Sequence, residues 1–248
     1  MKAFFLFAVA AAAIAGVWFL QAPIPQDDSY HRFADARTLF GIPHFYNITS
    51  NALLLVVALA GLFTSYRLDA SHNHFHLRRE FGLLFSAALL IALGSAWYHL
   101  QPSTAALVWD RLPMAVVFTT MLALVIAIYI SRPLGKLLLW PLLFAGIGSV
   151  LYWYKTEQLG AGDLRFYALT QFLPVVLALL ILILYHRAGK PNLLLGLTLF
   201  MYILAKAGEH FDSLIYHYTA IISGHSLKHL FAGLALLMWL LMLRRRHV

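Results

Sequence analysis

An all-α integral membrane protein is the fold class this sequence predicts, and three observations predict it. Of its 248 residues, 62% are hydrophobic. Only 11% are charged, where soluble domains carry roughly 25%. Eight apolar runs divide the chain, each of roughly 17–25 residues and so long enough to cross a bilayer.

The spans are expected near Ala3–Leu20, Ile48–Tyr66, Phe81–Leu100, Pro113–Ile130, Leu137–Tyr154, Phe166–Tyr185, Asn192–Tyr216 and Ile221–Leu243. The first has two readings, a secretory signal or an uncleaved span. Lys2 precedes an alanine-rich core, and Gln21-Ala22-Pro23 follows it. Val17-Trp18-Phe19-Leu20 extends that core beyond a usual signal and no clean small-x-small cleavage site follows, which favours a retained span. The chain thus reads as an N-terminal hydrophobic segment, residues 1–22, before a seven-helix domain, residues 23–248.

The formal charge of +8 comes from Lys and Arg scattered singly between apolar runs. That pattern excludes a nucleic-acid patch and reads as a topology signal. With every run crossing, eleven Lys and Arg fall on the side of both termini and five (Arg32, Arg37, Arg111, Lys155, Arg165) on the other, Lys206 and Lys228 lying inside spans. The excess predicts cytoplasmic termini. There is no cysteine, which excludes disulfides and thiolate metal sites and leaves His, Asp and Glu as metal ligands.

Polar residues inside the runs carry the functional signal. Ser223-Gly224-His225-Ser226-Leu227-Lys228-His229 opens the eighth run, and its two histidines, four residues apart, lie one turn from each other on one helix face. Ionisable groups in such a stretch are expensive and suspected of function. The third run carries Ser95 and His99, also at i and i+4, and Asp110 stands before the fourth. Span order brings all five to one outer zone.

Taken singly, a transmembrane His more often satisfies a backbone carbonyl, and a Ser bonds back to its own helix. Jointly they predict a metal site. His99, His225 and His229 suit Zn²⁺ with a fourth position open to water, the catalytic arrangement that brings the pKa of bound water to about 7. Asp110 is expected to orient that water and take its proton, and Ser95 to donate to a developing oxyanion. The implied reaction is hydrolysis of an amide or ester whose apolar part arrives through the lipid, at the extracytoplasmic side. A bis-histidine haem, with His99 facing His225, leaves His229, Ser95 and Asp110 without roles.

Gly94-Ser95-Ala96-Trp97-Tyr98-His99, Trp109-Asp110-Arg111-Leu112-Pro113-Met114 and Ser223-Gly224-His225-Ser226-Leu227-Lys228-His229 together resemble the alkaline ceramidase family, most closely its prokaryotic branch. That family belongs to the seven-helix membrane zinc hydrolases that also include adiponectin-receptor-like proteins. Phe45-Tyr46-Asn47-Ile48-Thr49-Ser50-Asn51 resembles the start of the family's first core helix. The resemblance runs from about Asp28 to the C-terminus. It implies an intramembrane zinc amidase that cuts the N-acyl bond of ceramide-like lipids to a sphingoid base and a fatty acid. His99, His225 and His229 would be zinc ligands and Ser95 and Asp110 catalytic. Eukaryotic members carry an acidic calcium-binding stretch before this helix; here His44 stands in that neighbourhood. Asp27, Asp28 and Asp35 are spaced differently, which does not support the six to eight oxygen ligands calcium prefers; a calcium site stays open as the alternative to a solvated, capping acidic loop.

Two other classes of function compete. A lipid receptor or sensor would hold zinc structurally through a fourth protein ligand, for which Asp110 is the candidate. A proton-coupled transporter would use Lys206, Glu209, His210 and Asp212 as a relay, although with Lys228 these first read as ion pairs joining the seventh and eighth helices. His72-Asn73-His74-Phe75-His76 reads as a solvated cytoplasmic face, and Arg244-Arg245-Arg246 as an inside anchor.

Overall fold

The computed structural model describes residues 1–69, 75–186, 188 and 191–245. His72, Asn73 and His74, with Arg187, Lys190 and Arg246 from the charge count, lie outside the described residues. The described chain is helical: α1 Lys2–Leu20, α2 Phe45–Thr49, α3 Ala52–Arg67, α4 Arg78–Leu100, α5 Thr104–Tyr129, α6 Arg132–Gln158, α7 Arg165–Leu184, α8 Asn192–His210, α9 Asp212–Thr219 and α10 Gly224–Arg244. Among the described residues there is no β-strand, only one isolated bridge between Leu39 and Ile42. With α2 and α3 taken as one span, eight helices are long and apolar enough to cross a membrane. The chain fits a multi-pass membrane protein.

Two boundaries differ from the sequence reading in ways that matter for the site. The fourth span begins at Thr104 rather than Pro113, so Asp110 sits inside α5 and not in the connection before it. Proline reads as a helix start because it lacks an N–H, yet here its ring is accommodated within the helix. The seventh run, expected to continue to Tyr216, ends as α8 at His210, and α9 starts afresh at Asp212. Beside the break the backbones of Gly208 and Gly224 approach so closely that a Cβ on Gly208 would stand 2.8 Å from the Gly224 carbonyl oxygen. Arg111 and Lys155, read as connection residues, lie inside α5 and α6.

Contacts divide the chain into two compact units, Met1–Asp27 with Arg111–Asn192, and Asp28–Asp110 with Leu193–Val248. In the first, α7 packs against α1 and α6. Helix ends leave carbonyls without intrahelical partners, and α1 and α7 satisfy each other's. Lys2 Nζ donates to the Leu184 carbonyl at 2.6 Å, and Arg165 NH1 donates to the carbonyls of Trp18 at 3.2 Å and Gln21 at 2.7 Å. Asp163 grips the same guanidinium at 2.8 Å, and hydrogen bonding from Arg165 holds its carboxyl below the ordinary aspartate value.

In the second unit, α3 packs between α4 and α10, and α2 contacts both of those helices. Small residues set the spacing. The Phe85 ring occupies the place a Cβ on Gly61 would fill, and Leu53 lies against Gly233. All five predicted site residues belong to this unit.

Candidate metal centre

His99 occupies the last turn of α4, and His225 and His229 the first two turns of α10. Their ligand nitrogens all lie within 4.8 Å of one another, and all three residues are buried, at 1%, 5% and 5% exposure. This group could hold a metal ion. Ring centroids are 4.9 Å apart for His99 and His225, 5.2 Å for His99 and His229, and 4.9 Å for His225 and His229.

Two observations fit a cation at this point. His99 Nδ1 is buried without a hydrogen-bond partner, and a buried polar atom left unpaired is costly unless something satisfies it. On His229, Nδ1 lies 2.8 Å from Ser50 Oγ, which donates its own proton to the Asn47 carbonyl at 3.1 Å. Asn51 Nδ2 lies 3.3 Å from the same nitrogen, so His229 Nδ1 is held by two side chains at the junction of α2 and α3 while Nε2 faces Ser95. A ligating histidine commonly has its other nitrogen held in this way.

Ser95 stands one turn before His99 on α4 and brings its Oγ to 3.5 Å from His229 Nε2. Ser95 is thus part of the histidine group's surroundings, as its spacing predicts. Asp110 is buried in α5, at 6% exposure, and is not among the three clustered donors. Its position follows from an unusual helix contact. Pro113 has no N–H to give the Trp109 carbonyl four residues earlier, and Gly94 packs directly on that carbonyl. A Cβ at residue 94 would overlap the Trp109 oxygen and come within 3.3 Å of the Asp110 nitrogen. Glycine is required here for close approach, and it sets Asp110 beside the turn that carries Ser95.

A polar layer fixes the start of α10. Ser223 caps the helix by accepting from Ser226 N at 3.1 Å, and Asp212 accepts from His225 N at 2.7 Å. Fully buried Asn47 accepts through Oδ1 from Ser226 at 2.8 Å and Ser223 at 3.3 Å. Glu209 joins α8 to α10 by pairing with both Lys206 and Lys228, the latter at 2.6 Å, and accepts from Tyr30 Oη at 3.0 Å. Asp212 stands apart from that ion pair, and His210 packs on Phe211 instead, with ring centroids 4.7 Å apart.

The segment before α2 lies on the histidines. Phe33 places its ring 4.5 Å from that of His99 and 4.7 Å from that of His225. His44 Nδ1 donates to the His99 carbonyl at 2.9 Å, one of the carbonyls the end of α4 leaves unpaired. Asp35, buried at 1% exposure, pairs with Arg37 through Oδ1 to Nε at 2.8 Å and Oδ2 to NH2 at 2.6 Å. Burial pushes its carboxyl up, but hydrogen bonds from the Arg37 side chain and backbone outweigh this and hold it below the ordinary value. Of the carboxylates weighed for calcium, Asp35 is thus occupied by an arginine and Asp28 opens the 3₁₀ turn Asp28–His31.

Phe33, Asn47 and Ser50 surround the histidines without a role in the sequence reading, and Asp212, read there with the ion pairs or a relay, binds the backbone amides of His225 and Ala34 instead. Asn47 and Asn51, four residues apart at the start of an apolar run, were the available signal, since buried amides need partners. Phe33 left none, because an aromatic in a connection is unremarkable. No family model matches the sequence, and no curated protein matches it.

Proposed function

We propose that this chain is a zinc-dependent hydrolase of lipid amides, cleaving the N-acyl bond of ceramide-like substrates to a sphingoid base and a fatty acid. The observation that carries the reading is the buried group of His99, His225 and His229 with the Ser95 hydroxyl 3.5 Å from His229 Nε2. Three neutral imidazoles suit zinc, and a cluster of three donors among the described residues supports an open position. His99, His225 and His229 would hold the ion, which when bound lowers the pKa of water and polarises an acyl oxygen.

The remaining work falls to the chain's own groups. Ser95 donates its hydroxyl proton to the substrate's carbonyl oxygen as negative charge gathers there. Asp110 takes a proton from the attacking water and returns it to the departing nitrogen, so that the amide C–N bond breaks as a C–O bond forms. Ser50 holds the His229 ring in place through Nδ1. The apolar chains remain in the bilayer, and the reaction faces the extracytoplasmic side, given the excess of Lys and Arg toward the termini. The substrate class rests on the ceramidase-like motifs around Ser95, Asp110 and His225.

The test is hydrolysis of an N-acylsphingosine by the purified, zinc-loaded chain in detergent, followed by mass spectrometry. Equal amounts of sphingoid base and fatty acid are expected. Intact lipid amides of every acyl length after prolonged incubation would sink the proposal.

A further inference from the structure

Asp212 reaches in two directions. Oδ1 accepts from the backbone N–H of His225 at 2.7 Å, and Oδ2 accepts from the backbone N–H of Ala34 at 3.0 Å. His225 is the second residue of α10, so its N–H has no intrahelical acceptor, and a carboxylate there is favoured by the helix dipole. Ala34 follows Phe33, the ring that borders His99 and His225. One carboxylate therefore ties the start of the helix bearing two imidazoles to the strand of chain that covers them.

Glycine makes the approach possible. A Cβ on Gly224 would stand 2.8 Å from Asp212 Cα and would overlap the Gly208 carbonyl oxygen. The break between α8 and α9 falls at the same place and delivers Asp212 to α10. The covering segment has further anchors in the same unit: Tyr30 on Glu209, and His31 on Tyr98 at 2.8 Å and Thr104 at 3.2 Å.

We propose that Asp212 is a positioning residue for the metal centre, setting the direction of His225 through the first turn of α10 and locking Phe33 over the imidazoles through Ala34. This rests on reading His99, His225 and His229 as metal ligands. The two roles need two acceptor oxygens. Asp212→Asn keeps one acceptor and so retains only one of the two bonds, whereas Asp212→Glu keeps both on a longer stem.

The experiment compares the full chain in detergent as wild type, Asp212→Asn and Asp212→Glu. It reads cobalt affinity by chelator competition, the visible spectrum of bound cobalt, and amide exchange at Ala34 and His225. Asp212→Asn should weaken cobalt binding by about ten- to a hundred-fold, change the spectrum, and speed exchange at one or both amides while other helices stay protected. Asp212→Glu should restore affinity toward wild type with a shifted spectrum. Wild-type affinity and spectrum in Asp212→Asn would overturn the proposal. If that variant does not fold, an unshifted spectrum in Asp212→Glu overturns it instead. A wild-type chain that takes up neither cobalt nor zinc refutes the metal reading itself, and exchange at Ala34 and His225 then decides whether the double tether exists.

Discussion

Ser95 Oγ on α4 and His229 Nε2 on α10 stand 3.5 Å apart, so a hydroxyl faces the ring nitrogen opposite the one that Ser50 and Asn51 hold. Ser95 belongs to neither the set of clustered donors nor the capping network. Replacing it should therefore leave metal binding intact. Ser95→Ala is expected to keep its zinc and lose about 10²–10³ in kcat, the scale of one oxyanion donor, with little change in KM. A variant with unchanged kcat would remove Ser95 from the chemistry.

Asp110 is buried beside Gly94 but is not one of the three donors. Asp110→Asn should likewise retain zinc while kcat falls by about 10²–10⁴, the range for a lost general base. Loss of zinc in Asp110→Asn would instead make Asp110 a ligand and favour a four-donor, structural site.

Gly94 tests the helix contact that carries Asp110. An added methyl would overlap the Trp109 carbonyl oxygen, and backbone on both sides must give way. Gly94→Ala is expected to lower stability by about 1–3 kcal/mol, as overpacking does, and to reduce turnover while zinc stays bound. Normal turnover with a normal melting temperature would show that α4 and α5 do not depend on this approach.

How much of this was legible beforehand depends on whether the signal was local. Span number followed from hydropathy, and the convergence of Ser95, His99, Asp110, His225 and His229 on one zone from span order and the Lys and Arg count, with i, i+4 spacing pairing Ser95 with His99 and His225 with His229. The start of α5 did not, because Pro113 reads as a helix start from sequence, whereas the helix runs through it where Gly94 of α4 packs against the Trp109 carbonyl, a contact between residues on different helices. Nor did the role of Asp212. Its partners, Ala34 and His225, are 178 and 13 residues away, and only the packing of Gly208 on Gly224 brings them together. A carboxylate beside Glu209 and Lys206 read as part of their ion pair, but the helix break turns it the other way.

Asp35 gives a prediction in pH. Its carboxyl is depressed below the ordinary 3.8 by Arg37, against the effect of burial. A depressed folded value means the pair stabilises the fold above 3.8 and that this contribution is lost as pH falls through the folded value. Melting temperature should thus decline in acid, and the decline should be shallower in Asp35→Asn, whose starting stability is lower. Identical acid profiles for the two proteins would exclude the Asp35–Arg37 pair as a source of that decline.

The central claim is that three buried histidines form a metal centre. Metal analysis of the full chain, purified without added metal, tests it most directly beside His225→Ala and His229→Ala. The expected result is about one zinc per wild-type chain and little in either variant, with all three proteins equally helical. A wild-type chain that is folded and free of metal, and that takes up none when zinc is supplied, would contradict it.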